Sequence, residues 1–229
     1  MSQPLAHPQD SPNQRILVRG VNWLGDAVMT TPALLRLREA YPQSHITLLT
    51  HQKLASLWES HPAINHILTF NQNSSLLEIA RNLRSHHFHI GLAFPNSHRS
   101  ALELWLASIP CRVGFAAPAR SWFLTHALQH PPTYVRMRKR TPKEARKRYL
   151  ANHTPEPLPP TSAHQIHLYL HLTAALGAKR NPLPPQLHVT PEEILEARTT
   201  FKIPENQNWI GLNAGAEYGP AKRWPLNRF

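Results

Sequence analysis

Short apolar segments alternate with amphipathic ones along the first half of the chain. The first, Arg15–Gly20, carries three consecutive apolar residues, which is typical of a buried strand. The pattern predicts strands over residues 15–20, 46–49, 64–70, 89–94 and 112–115, and helices over residues 26–41, 53–59, 74–84 and 97–107. This alternation with short connections predicts an α/β fold, a parallel sheet covered by helices on both faces. Such sheets bind ligands beyond the carboxyl ends of their strands, so loops 20–26 and 94–98 are candidate sites.

The second half of the chain is less regular. Residues 131–160 hold seven prolines and no clear period, which predicts a long excursion containing one basic helix. Helices are predicted over Ser162–Gly177, with Ser162 as its cap, and over residues 192–201, capped by Thr190. The segment WIGLN (Trp209–Asn213) is then predicted to form a new strand. The sequence stops soon afterwards, so we expect it to be a fragment of a longer protein.

Composition narrows the class of protein. The 229 residues are 41% hydrophobic, enough to bury the core of one large or two small domains. Cys111 is the single cysteine, which excludes an internal disulfide framework or a CxxC site. No apolar run approaches the roughly 18 residues of a membrane span, and the polar start is not a signal peptide. We therefore expect a soluble cytoplasmic protein.

Positive charge is concentrated in one segment. The formal net charge is +12, and Arg136–Arg148 contains eight Lys or Arg residues against one acid, Glu144. Two interpretations remain open. The segment either contacts phosphates of a nucleic acid, a nucleotide or an anionic lipid, or it is a solvated face that keeps the protein soluble.

The loop GVNWLGD (Gly20–Asp26) joins the first strand to the first helix. It lacks the glycines of a dinucleotide-binding loop and the Lys–Ser/Thr pair of a P-loop. It does place one carboxylate, Asp26, at a helix start. From spacing alone Asp26 is either an N-cap residue or a general base at the mouth of the sheet.

Three histidines, His164, His167 and His171, share one face of a predicted helix. Three imidazoles can hold zinc, but no carboxylate or cysteine completes the set. The chain has 16 histidines, so a chance alignment explains the spacing, and no metal site is predicted.

The segment LNAGAEYGPAKRWP (Leu212–Pro225) follows the last predicted strand. Its small residues allow a ligand to approach the backbone. Lys222 and Arg223 follow a few residues later, where their positive charges could contact a bound diphosphate. The alternative is an ordinary connection with two surface cations.

Three segments together resemble the bacterial heptosyltransferases of glycosyltransferase family 9. They are GVNWLGDAVMTTPAL (Gly20–Leu34), FPNSHRSAL (Phe94–Leu102) and GAEYGPAKRWP (Gly215–Pro225). The resemblance implies a GT-B fold, in which two Rossmann-like domains face a cleft. It divides the chain into a tail (1–14), an acceptor domain (15–180) with a basic, Pro-rich insertion (131–160), a linker and helix (181–207), and the start of a nucleotide-sugar domain (208–229).

The resemblance also implies a reaction and a set of residues. Family members transfer L-glycero-D-manno-heptose from ADP-heptose to a lipid A-linked inner core, here heptosyl-Kdo2-lipid A, with inversion and without a metal or other cofactor. Asp26 matches the base, a role compatible with capping. The remaining matches are Lys222, Gly215, Ala216 and Gly219 for the donor diphosphate, and Asn22, Asn96, Ser97 and Arg99 for the acceptor. The expected location is cytoplasmic, in peripheral contact with the anionic inner membrane of a Gram-negative bacterium.

The alternative is a basic Rossmann-type protein that binds nucleic acid or a nucleotide without transferase activity. No helix-turn-helix, zinc finger or RNP-type motif is present, and the basic segment lacks interleaved aromatic residues. A Rossmann oxidoreductase would need the missing glycine fingerprint. We therefore expect no nucleic-acid partner.

Overall fold

The computed structural model describes residues 10–136, 141–150, 159–204, 207–216 and 222–228. Within them, six parallel strands form one sheet in the order β3-β2-β1-β4-β5-β6. The strands are β1 (Arg15–Arg19), β2 (His45–His51), β3 (His66–Phe70), β4 (Ile90–Ala93), β5 (Cys111–Phe115) and β6 (His126–Leu128). The helices are α1 (Leu24–Ala40), α2 (Leu76–Ser85), α3 (His98–Leu106), α4 (Pro142–Leu150), α5 (Gln165–Ala174) and α6 (Pro191–Thr200). The predicted α/β architecture is confirmed.

Helices cover both faces of the sheet because the buried strands are apolar at successive positions. In β1, Ile16 and Val18 join the core cluster that contains residues of α1 and α5. Leu17 points to the other face and joins a cluster with residues of α2 and α3. All three side chains are fully buried, as expected for a central parallel strand.

Local capping explains where several helices begin. Ser75 forms a reciprocal capping box with Glu78 at α2, and Thr190 forms one with Glu193 at α6. Ser97 caps α3, and its hydroxyl accepts from the backbone N–H of Ser100 at 3.2 Å. The cap predicted at Thr190 is confirmed.

Three predictions of elements are wrong in detail. α5 begins after His164, whose ring Nδ1 accepts from the Ile166 N–H, and Ser162 lies instead in a preceding 3₁₀ turn. Residues 52–58 form a 3₁₀ helix rather than an α-helix. β6 was not predicted, because three residues are too few to show a period.

The chain divides into two compact units, Met1–His188 and Val189–Phe229. In the second unit the predicted strand Trp209–Asn213 is wrong, because residues 207–216 have no regular structure. Ile210 there is 86% exposed. A strand is stable only when its backbone groups pair with a neighbouring strand, and no described residue pairs with this segment.

The basic helix predicted within residues 131–160 is α4. Thr141 begins it, with its hydroxyl accepting from the Glu144 N–H at 3.2 Å and its own N–H donating to the Glu144 carboxylate at 2.7 Å. Among the helices that the structure describes, none is long and apolar enough to cross a membrane.

Candidate functional site

The sheet reverses its strand order between β1 and β4. These strands are direct neighbours, with Arg19 paired to Ala93 at their carboxyl ends. The loops that follow them, residues 20–23 and 94–97, therefore leave the same edge of the sheet side by side. Both predicted candidate loops lie at this switch point, where open α/β sheets form a crevice.

Asp26 lies in the first turn of α1, directly above this edge. The N-cap residue is Trp23, which makes no side-chain capping bond, so the interpretation of Asp26 as the N-cap is wrong. The helix begins two residues earlier than predicted. Free backbone N–H groups of a first turn favour a carboxylate there, while partial burial raises the pKa of Asp26 above its ordinary value.

Tyr169 of α5 is close enough to Asp26 to feel its charge. Burial raises the pKa of Tyr169 to about 12, and the negative charge of Asp26 adds to this effect. The ring of Tyr169 packs against Phe94, which follows β4, at a centroid distance of 5.2 Å. Tyr169 is thus a neutral phenol at physiological pH.

A buried ion-pair network joins two of the predicted acceptor residues. Glu103 of α3 is fully buried and accepts from Arg19 Nε at 2.9 Å through one carboxylate oxygen. Its other oxygen accepts from Arg99 Nε at 3.0 Å. Arg19 also donates to Asn22 Oδ1 at 2.9 Å. Asn22 is therefore linked to Arg99 through the Arg19 guanidinium and the Glu103 carboxylate.

Neighbouring contacts hold both guanidinium groups in place. The Arg19 guanidinium stacks over the ring of Phe70 at 4.3 Å, and Arg99 Nη2 donates to the Ser74 carbonyl at 2.7 Å. Sequence reasoning missed Arg19 and Glu103. Their signal was present, since each is a charged residue inside an otherwise apolar strand or helix face.

Arg120 fixes the loop that carries Asn96 and Ser97. Its side chain is fully buried and donates to the carbonyls of Pro95 (2.8 Å) and Ser97 (3.1 Å), and to that of Phe115. Burial lowers the pKa of Arg120 to about 10, so it is still a cation at neutral pH. Asn96 is exposed at the tip of this fixed loop. Sequence reasoning also missed Arg120.

The residues predicted to bind the donor lie in the second unit. The Gly215 N–H donates to Asn213 Oδ1 at 3.4 Å, and the Ala216 carbonyl accepts from Arg223 Nε at 3.2 Å. Among the described residues, a Cβ added to Gly215 would meet only Asn213 Oδ1, at 3.8 Å, which leaves room for a ligand to approach that backbone. Lys222 is exposed, and Gly219 lies outside the described residues.

The histidines of α5 have other partners. His164 caps the helix, and His171 Nε2 lies 3.2 Å from the Gln129 carbonyl oxygen. Within the described ranges, no three His, Cys, Asp or Glu side chains are grouped so as to hold a metal ion.

The strand order and the polar side chains at its switch point together define a Rossmann-like α/β domain. Solved structures share this fold: E. coli ADP-heptose LPS heptosyltransferase II has a TM-score of 0.69 at 24% identity, over 93% of this chain and 58% of that one. A family 9 glycosyltransferase of Veillonella parvula has a TM-score of 0.71 at 23% identity, over 97% of this chain and 59% of that one. The predicted GT-B fold class is confirmed.

The chain belongs to glycosyltransferase family 9, the heptosyltransferase family, whose model matches residues 76–229. Lipopolysaccharide heptosyltransferase 2 of E. coli is 29% identical over 92% of this chain and 57% of its own length. Lipooligosaccharide heptosyltransferase 2 of Haemophilus ducreyi is 26% identical over the same shares. The resemblance of the three motif segments is confirmed, and the nucleic-acid-binding alternative is not favoured. The chain spans a little over half the length of these relatives.

Proposed function

We propose that the whole protein is an inverting heptosyltransferase of lipopolysaccharide core synthesis. It transfers L-glycero-D-manno-heptose from ADP-heptose to heptosyl-Kdo2-lipid A. The observation that carries the proposal is the partly buried carboxylate of Asp26 at the switch point of a family 9 sheet. Curated relatives named heptosyltransferase 2 support the substrate class.

Asp26 acts as the general base. Partial burial raises the pKa of Asp26, which makes its carboxylate a stronger proton acceptor. Asp26 takes the proton of the acceptor hydroxyl as that oxygen bonds to the anomeric carbon. The bond from this carbon to the diphosphate oxygen breaks on the opposite face, which inverts the configuration. The network through Glu103 holds Asn22 and Arg99 toward the acceptor.

The leaving ADP gathers negative charge as that bond breaks. Lys222 and backbone N–H groups around Gly215 stabilise this charge. The open backbone at Gly215 supports the assignment, because a diphosphate must approach the chain closely there.

Replacement of Asp26 tests this proposal. In the full-length protein, Asp26→Asn should retain the fold and ADP-heptose binding but lower turnover by about 10²- to 10⁴-fold, the usual contribution of a general base. Glu39→Gln is the matched control, because Glu39 is an exposed carboxylate on the same helix. Turnover by Asp26→Asn equal to that of the control would exclude Asp26 as the base.

We also propose that α4 docks the protein on the anionic inner membrane, where a lipid-anchored acceptor lies. Lys143, Arg146 and Lys147 are exposed on this helix, and Leu150 at its end is 69% exposed. Each cation near an anionic bilayer contributes about 1 kcal/mol, and the attraction fades beyond a Debye length of roughly 8 Å. Exposed cations beside an exposed apolar side chain suit such a surface.

Charge reversal tests the docking. Lys143→Glu, Arg146→Glu and Lys147→Glu combined should abolish salt-sensitive sedimentation with phosphatidylglycerol vesicles, while activity on a delipidated acceptor is unchanged. Reversal of Arg81, Lys179 and Lys202, three exposed cations elsewhere, changes the net charge equally and should leave most binding intact. Equal loss in both triple variants would show only a general charge effect.

A further inference from the structure

A small cavity opens beside α5, away from the residues assigned to the transfer. It has a volume of about 160 Å³ and lies between the turn after β6, the 3₁₀ turn before α5, and α5 itself. Seven side chains line it: Pro131, Thr133, Ser162, His167, Leu170, His171 and Arg180. Five of these seven residues carry a polar or charged group.

The polar groups that line the cavity suit an anion. Thr133 and Ser162 contribute hydroxyls, His167 and His171 contribute imidazoles one helical turn apart, and Arg180 contributes a guanidinium. No carboxylate is among the described lining residues, and none of the ion pairs in the described part of the chain involves Arg180. The cavity therefore concentrates donors and positive charge without a counter-charge.

The orientation of His171 is set by its neighbours. Its Nε2 faces the Gln129 carbonyl oxygen at 3.2 Å, and its ring lies parallel to Phe115 at a centroid distance of 6.0 Å. Nε2 therefore donates, and in the neutral ring Nδ1 is an acceptor, so His171 borders the cavity without donating to an anion. Burial lowers the pKa of His171, and the charge of Arg180 lowers it further.

Size limits the ligand. One water takes about 30 Å³ of liquid volume, so the cavity holds roughly five waters, which matches the five heavy atoms of a tetrahedral oxyanion. Sites for nucleotides or other drug-sized ligands are about 300–1,000 Å³. The cavity is too small for a whole nucleotide sugar.

From these observations we infer that the cavity between Thr133, Ser162, His167 and Arg180 binds a phosphate group, either free phosphate or a phosphomonoester. The Arg180 guanidinium supplies charge-assisted hydrogen bonds, and the His167 ring and the two hydroxyls supply further donors. This site is independent of sugar transfer, so its test needs no transferase assay.

Calorimetric titration with inorganic phosphate at constant ionic strength tests the inference. The parent chain should bind one phosphate saturably, and Arg180→Ala should weaken binding about tenfold or more, since a charge-assisted hydrogen bond is lost. Lys179→Ala removes the adjacent exposed cation and should change the affinity less than about twofold. Methyl phosphate that binds as tightly as phosphate would identify a phosphomonoester as the ligand, and weaker binding would identify free phosphate.

Three outcomes would overturn the inference. The first is an absence of saturable binding by the parent chain. The second is an equal loss in Arg180→Ala and Lys179→Ala, which would mean diffuse attraction to a basic surface. The third is acetate binding as tight as phosphate at the same ionic strength, since a site for phosphate should favour the ion with more charge and more acceptor oxygens. Circular dichroism of each variant confirms that it folds.

Discussion

Glu103→Gln isolates the buried network at the switch point. Glutamine keeps the volume of Glu103 but removes the one negative charge that faces Arg19 and Arg99. Arg19 is 3% exposed, so its charge would remain buried without a counter-charge. Breaking a buried pair in this way typically costs about 3–5 kcal/mol. Asn22 and the Phe70 ring still contact Arg19, so we expect a loss of about 3 kcal/mol, at the lower end of that range.

The matched control is the pair between Arg36 and the exposed Glu39, with a closest distance of 2.7 Å. Exposed pairs contribute about 0–1 kcal/mol, so Glu39→Gln should cost less than 1 kcal/mol. Urea unfolding followed by circular dichroism gives both free energies, with unchanged m-values showing that the unfolded states are alike. If Glu103→Gln cost no more than Glu39→Gln, Glu103 would not be a desolvated counter-charge. The double variant Arg19→Met with Glu103→Gln should regain part of the loss.

Three further predictions concern other buried groups and the donor loop. Burial lowers the pKa of His61 to about 4, with a further contribution from His188, so the unfolded state binds more protons below pH 6.5. This group should lower the stability by up to about 3 kcal/mol as the pH drops from 6.5 to 4, and His61→Asn should remove that part of the acid-induced loss. Lys222→Ala in the full-length protein should weaken ADP-heptose binding, measured by calorimetry, without affecting acceptor binding. Gly114→Ala places a Cβ 2.9 Å from Arg120 Nη2 and should lower the free energy of unfolding by about 1–3 kcal/mol.

Each of these changes has a control or an excluding result. His87→Asn alters an exposed histidine and should leave the acid-induced loss of stability as it is in the parent. Gly211→Ala adds a Cβ in open space, so a destabilisation equal to that of Gly114→Ala would argue against the contact with Arg120. Donor affinity of Lys222→Ala equal to that of the parent would remove Lys222 from the donor site.

The amino-acid sequence alone determined the features that depend on a few neighbouring residues. Apolar periodicity predicted the α/β alternation and its two candidate loops, because it reports which faces of a strand or helix are buried. Thr190 predicted a helix start, because a capping box closes within four residues. The motif segments identified the family, which the family model confirms.

Only the tertiary structure decided which distant residues meet. Glu103 pairs with Arg19 across 84 positions, and Arg120 bonds the Pro95 carbonyl across 25, and no local pattern selects such partners. The same dependence on neighbours explains the wrong prediction at Trp209–Asn213, where an apolar segment without a paired strand stays irregular. Helix caps form their hydrogen bonds within a few residues of the chain. Strands and buried charges instead depend on partners distant in sequence, a neighbouring strand or an opposite charge.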